Sequence, residues 1–209
     1  MVAIIDYGVG NLFSLKSSLS SLGAEVVVTN DKDILKKADQ IILPGVGAFE
    51  DAIKKLRDSS LDKVVIELAN SRKPLMGICL GMQLLFDKSY EYGEHKGLGL
   101  IKGEIVPIKD DVSNDLKIPH IGWNALKFEN ELSPIFADIN DGDCVYFVHS
   151  YYAKNCNENV IATTEYGATL TAAVANKNVF GCQFHPEKSG KIGLSILKSF
   201  INIKEGSLC

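Results

Sequence analysis

The chain has 209 residues, 46% hydrophobic and 23% charged, with a formal net charge of −4. This composition can fill an α/β core, and its mild acidity offers no basic stripe to hold nucleic acid. No apolar run approaches the ~20 residues of a membrane span, and the start "MVAIIDYGVGN" lacks the charge and apolar length of a secretory leader. The five cysteines are odd in number and show no CxxC spacing, which argues against a disulfide framework and a structural zinc site. A reducing cytoplasm fits these features.

In chain order, residues 2–6 (VAIID) form a continuous apolar run, the mark of a strand buried on both faces. Leu12, Leu15, Leu19 and Leu22 recur at helical spacing, and Gly23 stops that helix. Residues 24–29 read as a second strand, 31–39 as a short polar helix opened by an acidic residue, and 40–45 as a third strand ending on Pro-Gly. One or two amphipathic helices fill 49–71. Residues 74–79 (PLMGIC) are a fourth strand, and 80–89 (LGMQLLFDKS) turn helical directly after it.

Strand and helix thus alternate, which predicts a mostly parallel open sheet with helices on both faces. From residue 98 the character changes to short β-like runs: 98–108, 118–128, 144–153, 159–166, 169–176 and 178–184. These are expected as extra antiparallel strands, on the same sheet or in a small second layer. Residues 190–203 read as a closing amphipathic helix. With no repeat or linker, residues 1–209 are expected to form one domain.

The stretch "GICLGMQLLF" (77–86) raises the question of chemistry. A cysteine between glycines is commonly core packing. A strand, a Gly-x-Cys-x-Gly turn and a helix are also the layout of a nucleophile elbow with cysteine in place of serine. In that layout Gly77 and Gly81 permit the strained turn, the helix N-terminus favours a thiolate, and the Leu80 N–H points where an oxyanion forms.

A thiol nucleophile needs a base, and the base an orienting partner. Of four histidines, His95 lies in a polar loop and is expected to be exposed, and His120 and His149 read as structural histidines within strands. His185 ends the apolar strand "NVFGCQF", and Glu187 stands two residues on, on the same face of an extended segment. Open parallel sheets gather their sites at the carboxyl ends of strands, so Cys79 and His185 are expected together, with Glu187 fixing the imidazole tautomer. "LPGVGAF" (43–49) is a candidate for a second oxyanion donor or a plain turn. Residues 6–11 tempt a dinucleotide reading, but Phe13 stands where its third glycine belongs, and no P-loop occurs. The other cysteines read as bland: Cys182 in a strand, Cys144 at the start of one, Cys156 in a polar loop, Cys209 terminal.

"GICLGMQLLF", "LPGVGAF" and "GCQFHPE" together resemble the class I (triad) glutamine amidotransferases. "IIDYGVGNLFS", "PHIGWN", "YFVHSYY" and "HPEKSG" narrow the resemblance to the glutaminase subunits of imidazole glycerol phosphate synthase. The resemblance implies a Cys79–His185–Glu187 triad that hydrolyses L-glutamine through a glutamyl thioester, with no cofactor and no metal. It places the oxyanion at Leu80 and the Gly45–Val46–Gly47 segment, and the amino-acid end of glutamine at Gln83, Ser150 and Tyr151. It further implies a separate (β/α)8-barrel cyclase that receives the ammonia as the heterodimer partner, met by Tyr7, Gly8, Asn11, Trp123, Asn124 and Lys188. Trp123 reads equally well as core packing. An alternative with the same fold and chemistry would feed ammonia to a sugar-amidating enzyme.

Overall fold

A computed structural model describes residues 1–129 and 131–206; Cys209 lies outside the described residues. The first half alternates as read: β1 (Val2–Ile5), α1 (Leu12–Ser21), β2 (Val26–Thr29), α2 (Lys32–Lys37), β3 (Gln40–Leu43), α3 (Phe49–Asp58), α4 (Leu61–Asn70), β4 (Leu75–Ile78) and α5 (Leu80–Leu84). Among the described residues ten strands and an α-helix follow, besides short 3-10 turns: β5 (Phe86–Ser89), β6 (His95–Lys96), β7 (Ile101–Pro107), β8 (His120–Ala125), β9 (Lys127–Phe128), β10 (Cys144–His149), β11 (Tyr151–Lys154), β12 (Val160–Glu165), β13 (Thr169–Asn176), β14 (Val179–Cys182) and α6 (Gly190–Ile201).

The main sheet has eight strands in the order β2-β1-β3-β4-β14-β13-β12-β9. The first five run parallel and the last three antiparallel. Every residue of β1, β3, β4 and β14 is buried, as two covered faces require. Alternation along β1 sorts the core. Ala3 and Ile5 join Phe49, Leu56 and Val65 beneath α3 and α4, while Val2 and Ile4 join Leu15, Leu19, Leu197 and Phe200 beneath α1 and α6. A four-stranded sheet, β11-β7-β5-β6, and a two-stranded ribbon, β10-β8, stand beside the main sheet. The second half therefore supplies both extra strands on the main sheet and separate small layers.

Local chemistry accounts for several boundaries. Asp31 caps α2, its carboxylate accepting the N–H groups of Asp33 (2.8 Å) and Ile34 (3.2 Å). Residues 49–71 form two helices, because Ser60 adopts a left-handed φ of 56° between them.

Two expectations are corrected. The helix after β4 ends at Leu84, and Phe86–Ser89 is the strand β5, whose Lys88 and Ser89 pair with Glu104 and Ile105 of β7. Pairing with a distant strand outweighs the helical preference of those residues. His95 is half-buried, its ring 6.5 Å from that of Phe49. Cys156 lies in the loop after β11, as read, and is buried there close to Thr171. Cys144, in contrast, is exposed at the start of β10.

The face beneath α6 is tested at Phe200, fully buried with its ring edge-on to Phe180 at 6.2 Å. Phe200→Ala is expected to cost about 3–5 kcal/mol, read as a lower urea midpoint at unchanged denaturant slope.

Candidate active site

The strand β4 delivers its chain into a bend at Cys79, whose φ of 54° and ψ of −114° put a non-glycine residue in a strained conformation. The Cys79 N–H donates to the Cys182 carbonyl at 2.7 Å, and the Cys79 carbonyl accepts the Gln83 N–H at 3.2 Å. The first bond continues the sheet and the second starts α5, so the side chain is held on a strand–turn–helix corner. The corner admits no side chain at its flanks. A Cβ on Gly81 would lie 1.9 Å from the Leu43 carbonyl oxygen, and one on Gly77 would lie 2.6 Å from the Gly81 carbonyl oxygen. These glycines are sites of close backbone approach as well as of flexibility.

Beyond β14 the chain reaches His185, which is 2% exposed. Its N–H donates to Tyr146, and the Ser189 hydroxyl donates to its carbonyl at 2.7 Å. His185 Nδ1 lies 2.9 Å from Glu187 Oε1, and both side chains are only 3% exposed. Cys79 is the second side chain that acts on this ring. Burial works against charge on this ring, but its bonds to Cys79 and Glu187 outweigh that, and its pKa rises to about 9. Burial and the nearby Glu187 carboxylate push the Cys182 thiol up instead, which keeps it a neutral packing group.

A cavity of about 420 Å³ opens over this corner. Of the residues singled out in the sequence, Cys79, His185, Val46, Gly47, Leu80, Gln83, Ser150 and Tyr151 line it. Glu187 stands behind His185. Gly45 is buried beneath the floor, where a Cβ would come 2.7 Å from the Gly81 nitrogen. Gly47 has φ +93° and open space around it, so the loop can turn its peptides at low steric cost. Gln83 donates to the Tyr151 carbonyl (3.2 Å) and to Gln183 Oε1 (3.0 Å), which leaves its own Oε1 as the atom a ligand could use.

The residues proposed for a partner face are distributed differently. Trp123 is 55% exposed, edge-on to Tyr146 at 6.1 Å, and Gly8 is exposed near half-buried Asn11. Lys188 lines the cavity mouth with its ammonium 5.8 Å from the Tyr146 ring. One side chain is corrected: Tyr7 is buried and donates to the Pro44 carbonyl at 2.7 Å, because it braces the loop after β3. Asn124 is half-buried, its Nδ2 donating to the Glu165 carbonyl and its Oδ1 2.8 Å from His120 Nε2.

Sequence reasoning missed Glu91, Pro119, Val148 and His149 in the cavity wall. The Glu91 carboxylate accepts the Phe49 N–H at 2.6 Å, at the start of α3, and burial raises its pKa. Its segment "EYGEHKG" has no periodicity to betray it; only the β5–β6 turn brings it to the site.

The fold and this corner define a class of protein, and comparison agrees: the family "Glutamine amidotransferase class-I" matches residues 3–203, and the chain belongs to that family. The chain is 49% identical over 205 residues to the imidazole glycerol phosphate synthase subunit HisH of Bacillus cereus strain AH187, covering 98% of this chain and 96% of that one. It is 48% identical, with the same coverage, to the subunit of that name from Bacillus anthracis. Among solved structures it resembles PurLQS from Thermotoga maritima (TM-score 0.72, 22% identity, 96% of this chain and 97% of that one) and a glutamine amidotransferase (TM-score 0.73, 20% identity, 96% and 99%), which show the fold. Among the described residues, no helix is long and apolar enough to cross a membrane.

The raised pKa of His185 makes a signed prediction. Its folded pKa of about 9 lies above the ordinary 6.5, so the contribution to stability is present below about 6.5 and is lost as pH rises through about 9. Unfolding measured from pH 6 to 10 is expected to show that loss, and Glu187→Gln is expected to move it to lower pH.

Proposed function

We propose that this chain is the glutamine-hydrolysing subunit of imidazole glycerol phosphate synthase. The observation that carries the reading is the strained Cys79 corner facing a buried His185–Glu187 pair inside an amino-acid-sized cavity. The near-full-length identity to relatives of that name supports the same reading.

In this mechanism Cys79 attacks the carboxamide carbon of L-glutamine as a thiolate. The oxyanion meets the Leu80 N–H and a backbone N–H of the Gly45–Val46–Gly47 loop. His185, as imidazolium, gives its proton to the departing ammonia, leaving a glutamyl thioester. It then takes a proton from the water that releases glutamate. Glu187 holds the ring in the tautomer both steps need.

The amino-acid end of glutamine carries two charges. Glu91 and the Gln83 Oε1 suit its ammonium. The free edge of β11, at Ser150 and Tyr151, suits its carboxylate. Ile108 N–H donates to the Ser150 carbonyl at 2.9 Å, so by antiparallel alternation the peptide groups of Tyr151 point away from β7 and toward the cavity.

Ammonia passes to a separate (β/α)8-barrel cyclase, which makes imidazole glycerol phosphate and AICAR in the cytoplasm, with no cofactor or metal on this chain. Exposed Phe13 and Trp123, with Gly8 and Lys188, suit the docking face. The open space at Gly47 suits an oxyanion loop that the partner completes. The alternative of ammonia supply for sugar amidation gains no support from relatives named as synthase subunits.

The test mixes the chain with the cyclase and amide-labelled glutamine. Label is expected in imidazole glycerol phosphate, and its absence would refute the reading. Cys79→Ala is expected to abolish the glutamine-driven product while added ammonia still drives the cyclase. Glu91→Gln is expected to raise KM for glutamine by at least about tenfold, the scale of one lost charge-assisted bond.

A further inference from the structure

Two buried imidazoles take no part in the chemistry above. His120 opens β8 and His149 ends β10, directly opposite each other in the ribbon, and both are buried. His120 Nδ1 and His149 Nε2 are 2.9 Å apart. His149 Nδ1 lies 2.9 Å from the Tyr151 carbonyl oxygen, and His120 Nε2 lies 2.8 Å from Asn124 Oδ1. Asn124 Nδ2 donates to the Glu165 carbonyl at 2.9 Å, which settles the orientation of its amide.

The Tyr151 carbonyl assigns the tautomer of His149. A carbonyl oxygen can only accept, so His149 carries its proton on Nδ1 and offers a lone pair at Nε2. A neutral His120 has one proton for two acceptors, His149 Nε2 and Asn124 Oδ1, and on Nδ1 that proton serves His149. Burial keeps both rings neutral, lowering His120 and pushing His149 down to about 3. With the proton on Nδ1, the 2.8 Å approach of His120 Nε2 to Asn124 Oδ1 is a close contact and not a hydrogen bond, so the bonded chain runs from His120 through His149 to the Tyr151 carbonyl. The His120 ring is clamped regardless, stacked between Tyr166 (centroids 4.0 Å) and Phe147 (5.1 Å).

The cavity end is where the consequence lies. The Tyr151 carbonyl receives two donors, His149 Nδ1–H and Gln83 Nε2–H, so both its lone pairs are used. This fixes the free edge of β11, the backbone assigned above to the amino-acid end of the substrate. We propose that His149 and His120 are a positioning pair: His149 anchors the Tyr151 carbonyl, His120 fixes the tautomer of His149, and together they hold the substrate-binding edge of β11. Neither ring touches the reacting atoms. The inference rests on the glutaminase reading.

The experiment uses His149→Phe, His120→Phe and His120→Gln in the complex with the cyclase, with thermal melts to verify folding. His149→Phe removes the donor to Tyr151, His120→Phe removes the donor to His149, and His120→Gln restores one. The two phenylalanine variants are expected to raise KM for glutamine by about tenfold or more, the scale of an unpaired buried acceptor, with kcat changed far less. His120→Gln is expected to stay within about threefold of the parent. Labelling of Cys79 by a glutamine-analogue chloromethyl ketone is expected to slow in step with KM, while labelling by iodoacetamide, which has no amino-acid end, stays at the parent rate. An unchanged KM in His120→Phe, or an equal loss of both labelling rates in His149→Phe, overturns the proposal. A parent enzyme that reacts with iodoacetamide but never with the glutamine analogue overturns the glutaminase reading instead.

Discussion

The parallel pairing of β4 with β14 is the constraint on which the site depends. Ile78 and Cys182 are partners at the carboxyl ends of these strands, and the Cys79 N–H extends the ladder by one bond to the Cys182 carbonyl. That bond brings a residue of the first half of the chain beside the segment that carries His185 and Glu187. It also sets the bend at Cys79, because the chain must leave the sheet immediately afterwards. β3 completes the arrangement by bringing Leu43 so close that residue 81 can only be glycine. Backbone proximity, more than side-chain attraction, shapes the corner.

Electrostatics then separates groups that look alike in sequence. Cys79 and Cys182 sit one residue apart across the same ladder, yet one faces an imidazole in an open cavity and the other is sealed in the core. The histidines divide in the same way. His185 has a carboxylate on one nitrogen and Cys79 as its other partner, and its proton affinity rises. His149 has a carbonyl and a neutral ring, and burial wins. The partner at each nitrogen decides whether a buried imidazole is a proton carrier or a hydrogen-bonded strut.

The β-rich second half serves the site differently from the parallel half. The parallel strands present the reacting groups, as open α/β sheets do at their carboxyl ends. The edge of β11 and the β5–β6 turn supply the walls. Tyr151 and Glu91 come from these additions, so the Cys79 corner and the cavity walls proposed to recognise the substrate rest on different layers of the fold.

Much of this was legible in the linear chain. Buried parallel strands show as unbroken apolar runs, the Cys79 corner shows as glycines at fixed offsets, and His185 with Glu187 shows as a strand end followed by an extended pair. Each is a local pattern with a local cause. Glu91, the burial of Tyr7 and the pairing of His120 with His149 left no such mark, because each depends on a contact with a distant segment. The conversion of Phe86–Ser89 from expected helix to strand has the same origin in pairing with β7. The sequence alone was sufficient for most elements, the class of chemistry and the two segments that meet at the Cys79 corner, since those follow from near neighbours. The shape of the cavity, and which polar groups face it, belonged to the folded chain, since strand register and long-range hydrogen bonds set them.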